Sequence, residues 1–350
     1  MKQYRLLYFA FFALILLNIS CRHEPLHDFP DAGYGCLAPY LSPVTPTRDT
    51  SFHCCNCPWD WQELVSSAIP YDYLNPCFNP NNNNQLAYYR VDNTMPGFHG
   101  YEIWVDDFCT KEKKLIATNA LYSITWGKNN WILYTGIDQN LYKVKCNGDS
   151  LTQVTNAPAG SYNRFPKFNP TGDKVLYQSD LFGQNHLMIL DLDKHDPTDT
   201  ILKEESLLGI IAWDWVTDTT ICYVVWSPTI QIGLYNTESR EKTVLNEFMI
   251  QHSTDSIISS VAPLRAENSI IWCGPGVVGK TNITTKHSEV VIKRFPEEFF
   301  LDISVLQNGT DFLLNKRVRH QIDNCTVDSN FDFYLVNSSG TKFNKLNLLE

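Results

Sequence analysis

Gly274-Pro-Gly-Val-Val-Gly279-Lys280-Thr281 has the spacing of a phosphate-binding loop, G-x4-G-K-[ST], and follows the strand-like run Ser269–Cys273. That chemistry needs a helix directly after the loop, whose N-terminal amides cradle the phosphate. Asn282-Ile-Thr-Thr-Lys-His follows instead, β-prone and without helical period, so we read a Gly-rich loop between strands and expect no nucleotide. His53-Cys54-Cys55-Asn56-Cys57 is the densest thiol cluster. Thiolates and imidazole suit Cu(I) or Zn(II), and Cys54 with Cys57 has the C-x-x-C spacing of redox motifs, though without their βαβ context. Disulfide staples are favoured, with Cys36, Cys54, Cys55, Cys57 and Cys77 as candidates, and metal or redox roles stand behind that reading. The acidic run Asp191, Asp193, Asp196, Asp199 lacks the Gly and Glu of a calcium loop and reads as a solvated turn. His195, His252 and His287 are scattered, and there is no G-x-S-x-G elbow. The pairs Trp59/Trp61 and Trp213/Trp215 are read as core rather than as a stacking surface, with Trp213 packed between repeats. No catalytic, cofactor or metal-ligating residue is therefore assigned.

These residues sit on a chain that opens with an address. Lys2 and Arg5 precede Leu6 to Leu17, an unbroken apolar run too short for a confident membrane span and suited to a signal-peptide core. Ser20-Cys21 follows, which resembles the lipobox of bacterial lipoproteins in the loosened, Bacteroidetes-like form, since Asn18 stands where Leu is usual. The resemblance implies cleavage before Cys21, its acylation, and membrane attachment through the lipid. Residues 1–20 are read as signal peptide, 21–52 as a Pro-rich lipidated tether, 53–70 as a Cys-rich lead-in, and 71–350 as the folded body.

That body repeats. Residues 163–192 run Pro-x-Phe-Asn-Pro, a Thr-Gly-Asp turn, the strand Lys174–Gln178, a polar loop, and the strand His186–Leu190 ending in Asp191. Residues 76–106 follow the same order, and four weaker copies follow it by spacing. Anchors at Phe78, Trp126, Phe168, Trp213, Leu264 and Val305 recur every 41 to 51 residues, the period of propeller blades. The two best copies resemble the TolB-type β-propeller repeat. The resemblance implies an all-β, six-bladed propeller over most of the exported chain. Residues 22–70 are too short for the extra N-terminal domain of TolB itself, so that protein's role is not carried over. Ring closure is left between two donors, residues 342–348 or 48–54.

Hydrophobic content of 43% and aromatic content of 13% exclude global disorder. A net charge of −10, made two charges more acidic by loss of Lys2 and Arg5, argues against nucleic acid as a partner. The expectation is a non-enzymatic, lipid-anchored interaction platform at the outer membrane, facing the periplasm and binding an envelope protein or cell-wall partner. The alternative is a carbohydrate-binding protein, or a hydrolase or lyase, using the propeller's central pocket. Convergence of carboxylates or histidines on the channel would favour the alternative.

Overall fold

Apolar residues of high β propensity, broken every few residues by Asn, Asp, Gly and Pro, give this chain strands and tight turns. The computed structural model describes residues 32–44, 71–94, 100–180, 186–193, 200–202, 210–226, 229–248, 258–274, 276–293, 299–321 and 327–349. Cys21, the Cys54/Cys55/Cys57 cluster, Trp59, Trp61, His195, Asp196, Asp199 and His252 lie outside these residues.

A 3-10 segment, Ala32–Tyr40, leads into β1 (Leu41–Pro43). Then β2 (Tyr71–Asn79), β3 (Asn82–Asp92), β4 (Tyr101–Asp107), β5 (Glu112–Trp126), β6 (Trp131–Gly136), β7 (Leu141–Lys145) and β8 (Thr152–Gln153) form one seven-stranded sheet in chain order. A four-stranded sheet holds β9 (Asn163–Phe168), β10 (Lys174–Ser179), β11 (His186–Asp191) and β12 (Thr200–Leu202). The next holds β13 (Ile210–Trp215), β14 (Thr220–Trp226), β15 (Ile230–Asn236) and β16 (Lys242–Phe248). Another holds β17 (Ser260–Leu264), β18 (Ser269–Gly274), β19 (Val277–Asn282) and β20 (Ser288–Lys293). The last holds β21 (Phe299–Val305), β22 (Phe312–Gln321), β23 (Val327–Val336) and β24 (Phe343–Leu346), with β1 added outside β24.

The turn chemistry recurs. Asn169 Oδ1 accepts from the amides of Gly172 and Lys174, and Gly172 takes a positive φ of 85° to close the turn. Asn79, Asn236, Asn282 and Asn308 accept amides two residues on in the same way.

Four expectations need correction. The repeats do not fold as six separate sheets: four sheets of four or five strands stand apart, and the first repeats share a seven-stranded sheet. β5 is long enough to pair with β4 through its first half and with β6 through its second. The segment read as a Gly-rich loop is the strand β19, so Glu289–Lys293 belongs to a fourth strand rather than a third. The anchor of the fourth repeat is Trp215, the last residue of β13 and fully buried, not Trp213. Finally, part of the supposed tether is built into the molecule. β1 pairs with β24, while Leu37 and Leu41 pack in a core with Leu86, Phe108, Leu313 and Leu346. Of the two proposed closures, residues 342–348 supply the fourth strand, β24, with β1 of residues 41–43 outside it, and residues 48–54 lie outside the described residues.

Candidate functional site

The ends of β2, β5, β9, β13, β17 and β21 converge on one cavity of about 340 Å³. Strand alternation decides what faces it. Phe78, Trp126, Phe168, Trp215 and Leu264 are buried between sheets. The residues just before these anchors, Cys77, Thr125, Lys167, Asp214 and Pro263, and Ser304 before Val305, all line the cavity. Register breaks within β2, β5, β13 and β21, and between β9 and β10, re-aim these inner strands.

Neighbouring inner strands are stitched to one another around the cavity. Ser304 Oγ accepts from the Phe78 amide at 3.2 Å and Thr125 Oγ1 from the Phe168 amide at 3.1 Å. Ser260 Oγ accepts from the Ile303 amide, and Trp215 Nε1 donates to the Lys167 carbonyl at 3.1 Å. A second tier of contacts joins the turns at the cavity mouth. Asn81 Nδ2 donates to the Lys128 carbonyl, Asn129 Nδ2 to the Gly172 carbonyl, and Thr171 to Asp218. Arg265 donates to the carbonyls of Val216 and Trp215, and the Gln307 amide to Asn83 Oδ1.

The charged centre is Lys167 with Asp214 and Asp302. Burial alone would push Lys167 down, but Asp214 and Asp302 outweigh it and hold the ammonium above the usual lysine range. Burial raises Asp302 to about 6 against the attraction of Lys167, and Asn75 Nδ2 donates to its Oδ2 at 2.7 Å. Burial likewise raises Asp214, opposed by Lys167 and Arg265. Desolvation pushes the Cys77 thiol up to about 11, so the channel thiol stays protonated and unreactive near neutral pH. Among the described residues, the cavity lining contains no histidine. Among the described residues, no group of three His, Cys, Asp or Glu could hold a metal ion. What the axis offers chemically is a lysine in the field of two buried carboxyls, one of which, Asp302, burial raises to about 6.

Of the Cys candidates, Cys36 forms a disulfide, with Cys109 as its partner, a residue that stands alone in the sequence pattern. Cys77, grouped with the staples, is a free thiol on the cavity wall. Cys222 and Cys273 are fully buried, as small apolar residues. Lys280 of the phosphate-loop-like run reaches Glu267 at 2.9 Å and Glu289 at 3.1 Å. Gly279 is required because a Cβ there would meet Trp272 Cζ2 at 2.1 Å. His287 lies in an exposed turn. Sequence reading passed over Lys167, Asp214 and Asp302. The available signal was positional for Lys167, one residue before the anchor Phe168, whereas Asp214 follows the expected anchor Trp213 and precedes only Trp215.

No protein-family model matches the chain, and no curated protein matches it in sequence. Among solved structures, an oligogalacturonate lyase from Vibrio parahaemolyticus superposes with a TM-score of 0.54 at 10% identity, over 81% of this chain and 80% of that one. A chain of a nidogen/laminin complex gives 0.51 at 7% identity, over 79% of this chain and 92% of that one. TolB from Acinetobacter baumannii gives 0.44 at 11% identity, over 79% and 54%, a score too low to weigh. Identities this low bear on fold alone, and the fold is an all-β propeller.

Proposed function

We propose that this chain is a recognition module and not a catalyst. It is a six-bladed, TolB-like propeller, exported and held at the periplasmic face of the outer membrane through acylated Cys21. Its cavity mouth receives an envelope protein partner. The observation that carries this reading is that the ends of six inner strands meet at one cavity whose mouth turns are tied together, Arg265 to the Val216 and Trp215 carbonyls and the Gln307 amide to Asn83. What supports a count of six is the double pairing of β5, with β4 through its first half as the outer strand of one unit and with β6 through its second half as the inner strand of the next. Six inner strands then surround the cavity.

The test is site-specific photo-crosslinking in cells, with the crosslinker replacing Gln307 at the mouth or Val290 on the outer strand β20. A crosslinked protein from Gln307 and none from Val290 is expected; the reverse pattern would overturn the reading. Labelling with an alkynyl fatty acid checks the anchor, and an unlabelled Cys21 would remove it.

A second reading, an enzyme working on carbohydrate in the same cavity, draws on one observation. Asp302 near 6 beside Lys167 resembles an acid–base pair. It requires turnover of a saccharide that Asp302→Asn abolishes, and incubation with oligogalacturonate, scored for unsaturated products, is the first assay.

A further inference from the structure

We infer that the outer rim where β5 meets the β6–β7 hairpin is a lipid-contacting surface that lays the anchored chain against the bilayer, an inference that rests on the anchored reading above. Among the described residues, five large hydrophobic side chains are exposed: Leu115, Ile137, Leu151, Val244 and Val290. Val244 and Val290 stand singly on β16 and β20. The other three, 40%, 47% and 59% exposed, line one groove of about 580 Å³. Its walls are residues 115–119, in the half of β5 that pairs with β4, and the turn and strands of the β6–β7 hairpin. Leu151 stands just before β8, a strand of two residues where β16 has seven and β20 six, so it falls outside the ladder. Within the groove Tyr142 stacks on Tyr134 at 5.8 Å, and its hydroxyl donates to Asp138 Oδ2 at 2.8 Å. A ring with one polar end tied down suits a membrane–water interface. Asp138, the charged residue of this lining, also accepts from Asn140 Nδ2. In the flanking turns Lys111 and Lys114 are offset by Glu112 and Asp149, so the attraction is apolar rather than ionic.

Chain length and patch size select a bilayer over a protein. Ten residues, 22–31, separate acylated Cys21 from Ala32, a reach of at most about 35 Å. Four residues beyond Ala32, Cys36 is bonded to Cys109. From Cys109 the chain turns into β5 and arrives at Leu115 six residues later, within about 20 Å. The anchor therefore keeps this rim within reach of the membrane. Three aliphatic side chains fall far short of the roughly 20–30 residues a side that a stable protein interface uses. Beside a covalent lipid they are enough, because the anchor supplies the local concentration and the patch supplies a second signal. The groove and the channel cavity share no lining residue, so the mouth stays free for its partner while the rim lies on lipid.

The experiment places the full acylated chain in vesicles of phosphatidylcholine that carry a diazirine on one acyl chain, irradiates them, and maps the adducts by mass spectrometry. Adducts on residues 112–119, 136–142 and 150–153 are expected, several-fold above those on 242–248 and 288–293, where Val244 and Val290 are comparably exposed controls. Their yield should not fall as salt rises. Leu115→Ser with Leu151→Ser should lower the rim adducts several-fold, while Tm and the amount of chain on the vesicles stay as in the wild type. Adducts spread evenly over the five sites, absent from the rim, or indifferent to the double variant overturn the inference. Crosslinking of Lys114 to a second copy of the chain or to another protein, in place of lipid adducts, overturns it as well. The anchor is scored separately from the mass of the Cys21 peptide. An acylated chain with a clean rim keeps the anchor and removes the patch, whereas a bare Cys21 with rim adducts removes the anchor and keeps the patch.

Discussion

Asp302 sets a pH dependence that can be signed. It titrates at about 6 in the folded chain, whereas an unfolded aspartate titrates near 3.9. Between those values the folded chain keeps a proton that the unfolded chain has lost. Stability therefore falls as pH rises through that window and is level above it. Asp106, raised to about 6 by burial against hydrogen bonds from the Leu349 amide and Tyr88, acts in the same direction. Asp302→Asn should flatten the fall of Tm between pH 4.5 and 6.5 without removing it, and an unchanged slope would exclude Asp302 as a titrating group. The thiols give a second residue-scale prediction. Cys273, raised to about 12, and Cys222, higher still, should resist alkylation in the native protein at pH 7.5, while half-buried Cys146 reacts before either by mass-spectrometric mapping. Their burial was legible from Tyr223 and Trp272 beside them. The Lys167 centre was not, because its members are 47 and 88 residues apart in sequence and meet only where the inner strands converge.

At the scale of strands, glycines opposite aromatics hold the inner sheets together. Trp272 pairs with Gly279 across β18 and β19, and Tyr223 with Gly233 across β14 and β15. A Cβ at Gly233 would meet the Tyr223 ring at 2.6 Å. Each ring occupies the space its partner's Cβ would take, so Gly279→Ala or Gly233→Ala should cost about 1–3 kcal/mol in urea unfolding through overpacking. A loss well under 1 kcal/mol at both would show that the rings move freely. The same pairing explains why a phosphate-loop spacing appears in a strand: Gly279 serves Trp272, and Lys280 serves Glu267. Turn residues made the middle strands readable almost to the residue, as in Lys174–Gln178 within β10 and Thr220–Val225 within β14. The inner strands were harder, since bulges interrupt their alternation and β5 continues through a place where a boundary was expected.

At the scale of the molecule, the ends of the chain clasp one seam. Tyr34 donates to Asp311, β1 completes the last sheet, and the Leu349 amide and carbonyl meet Asp106 and Lys113 of the first. The Cys36–Cys109 bond joins residues 73 apart. Replacing both with Ser should lower stability by up to about 4 kcal/mol from unfolded-chain entropy, seen as a fall in Tm that reductant reproduces in the wild type. An unchanged Tm in both would mean the strap is held by packing alone. This clasp was out of reach of sequence reading because Cys109 carries no local pattern and residues 32–44 look like linker. The order along the strap, disulfide first and β1 after, also decides how the molecule bears load. A pull entering from the N-terminal side leaves the chain at Cys36 and crosses to Cys109, so β1 and its pairing with β24 are bypassed. Oxidised, the molecule takes tension directly into its first sheet; reduced, it yields at the seam, where β1 unzips from β24 a few hydrogen bonds at a time. Pulling single molecules from the N-terminal end, with and without reductant, should show an early low-force step only in the reduced protein.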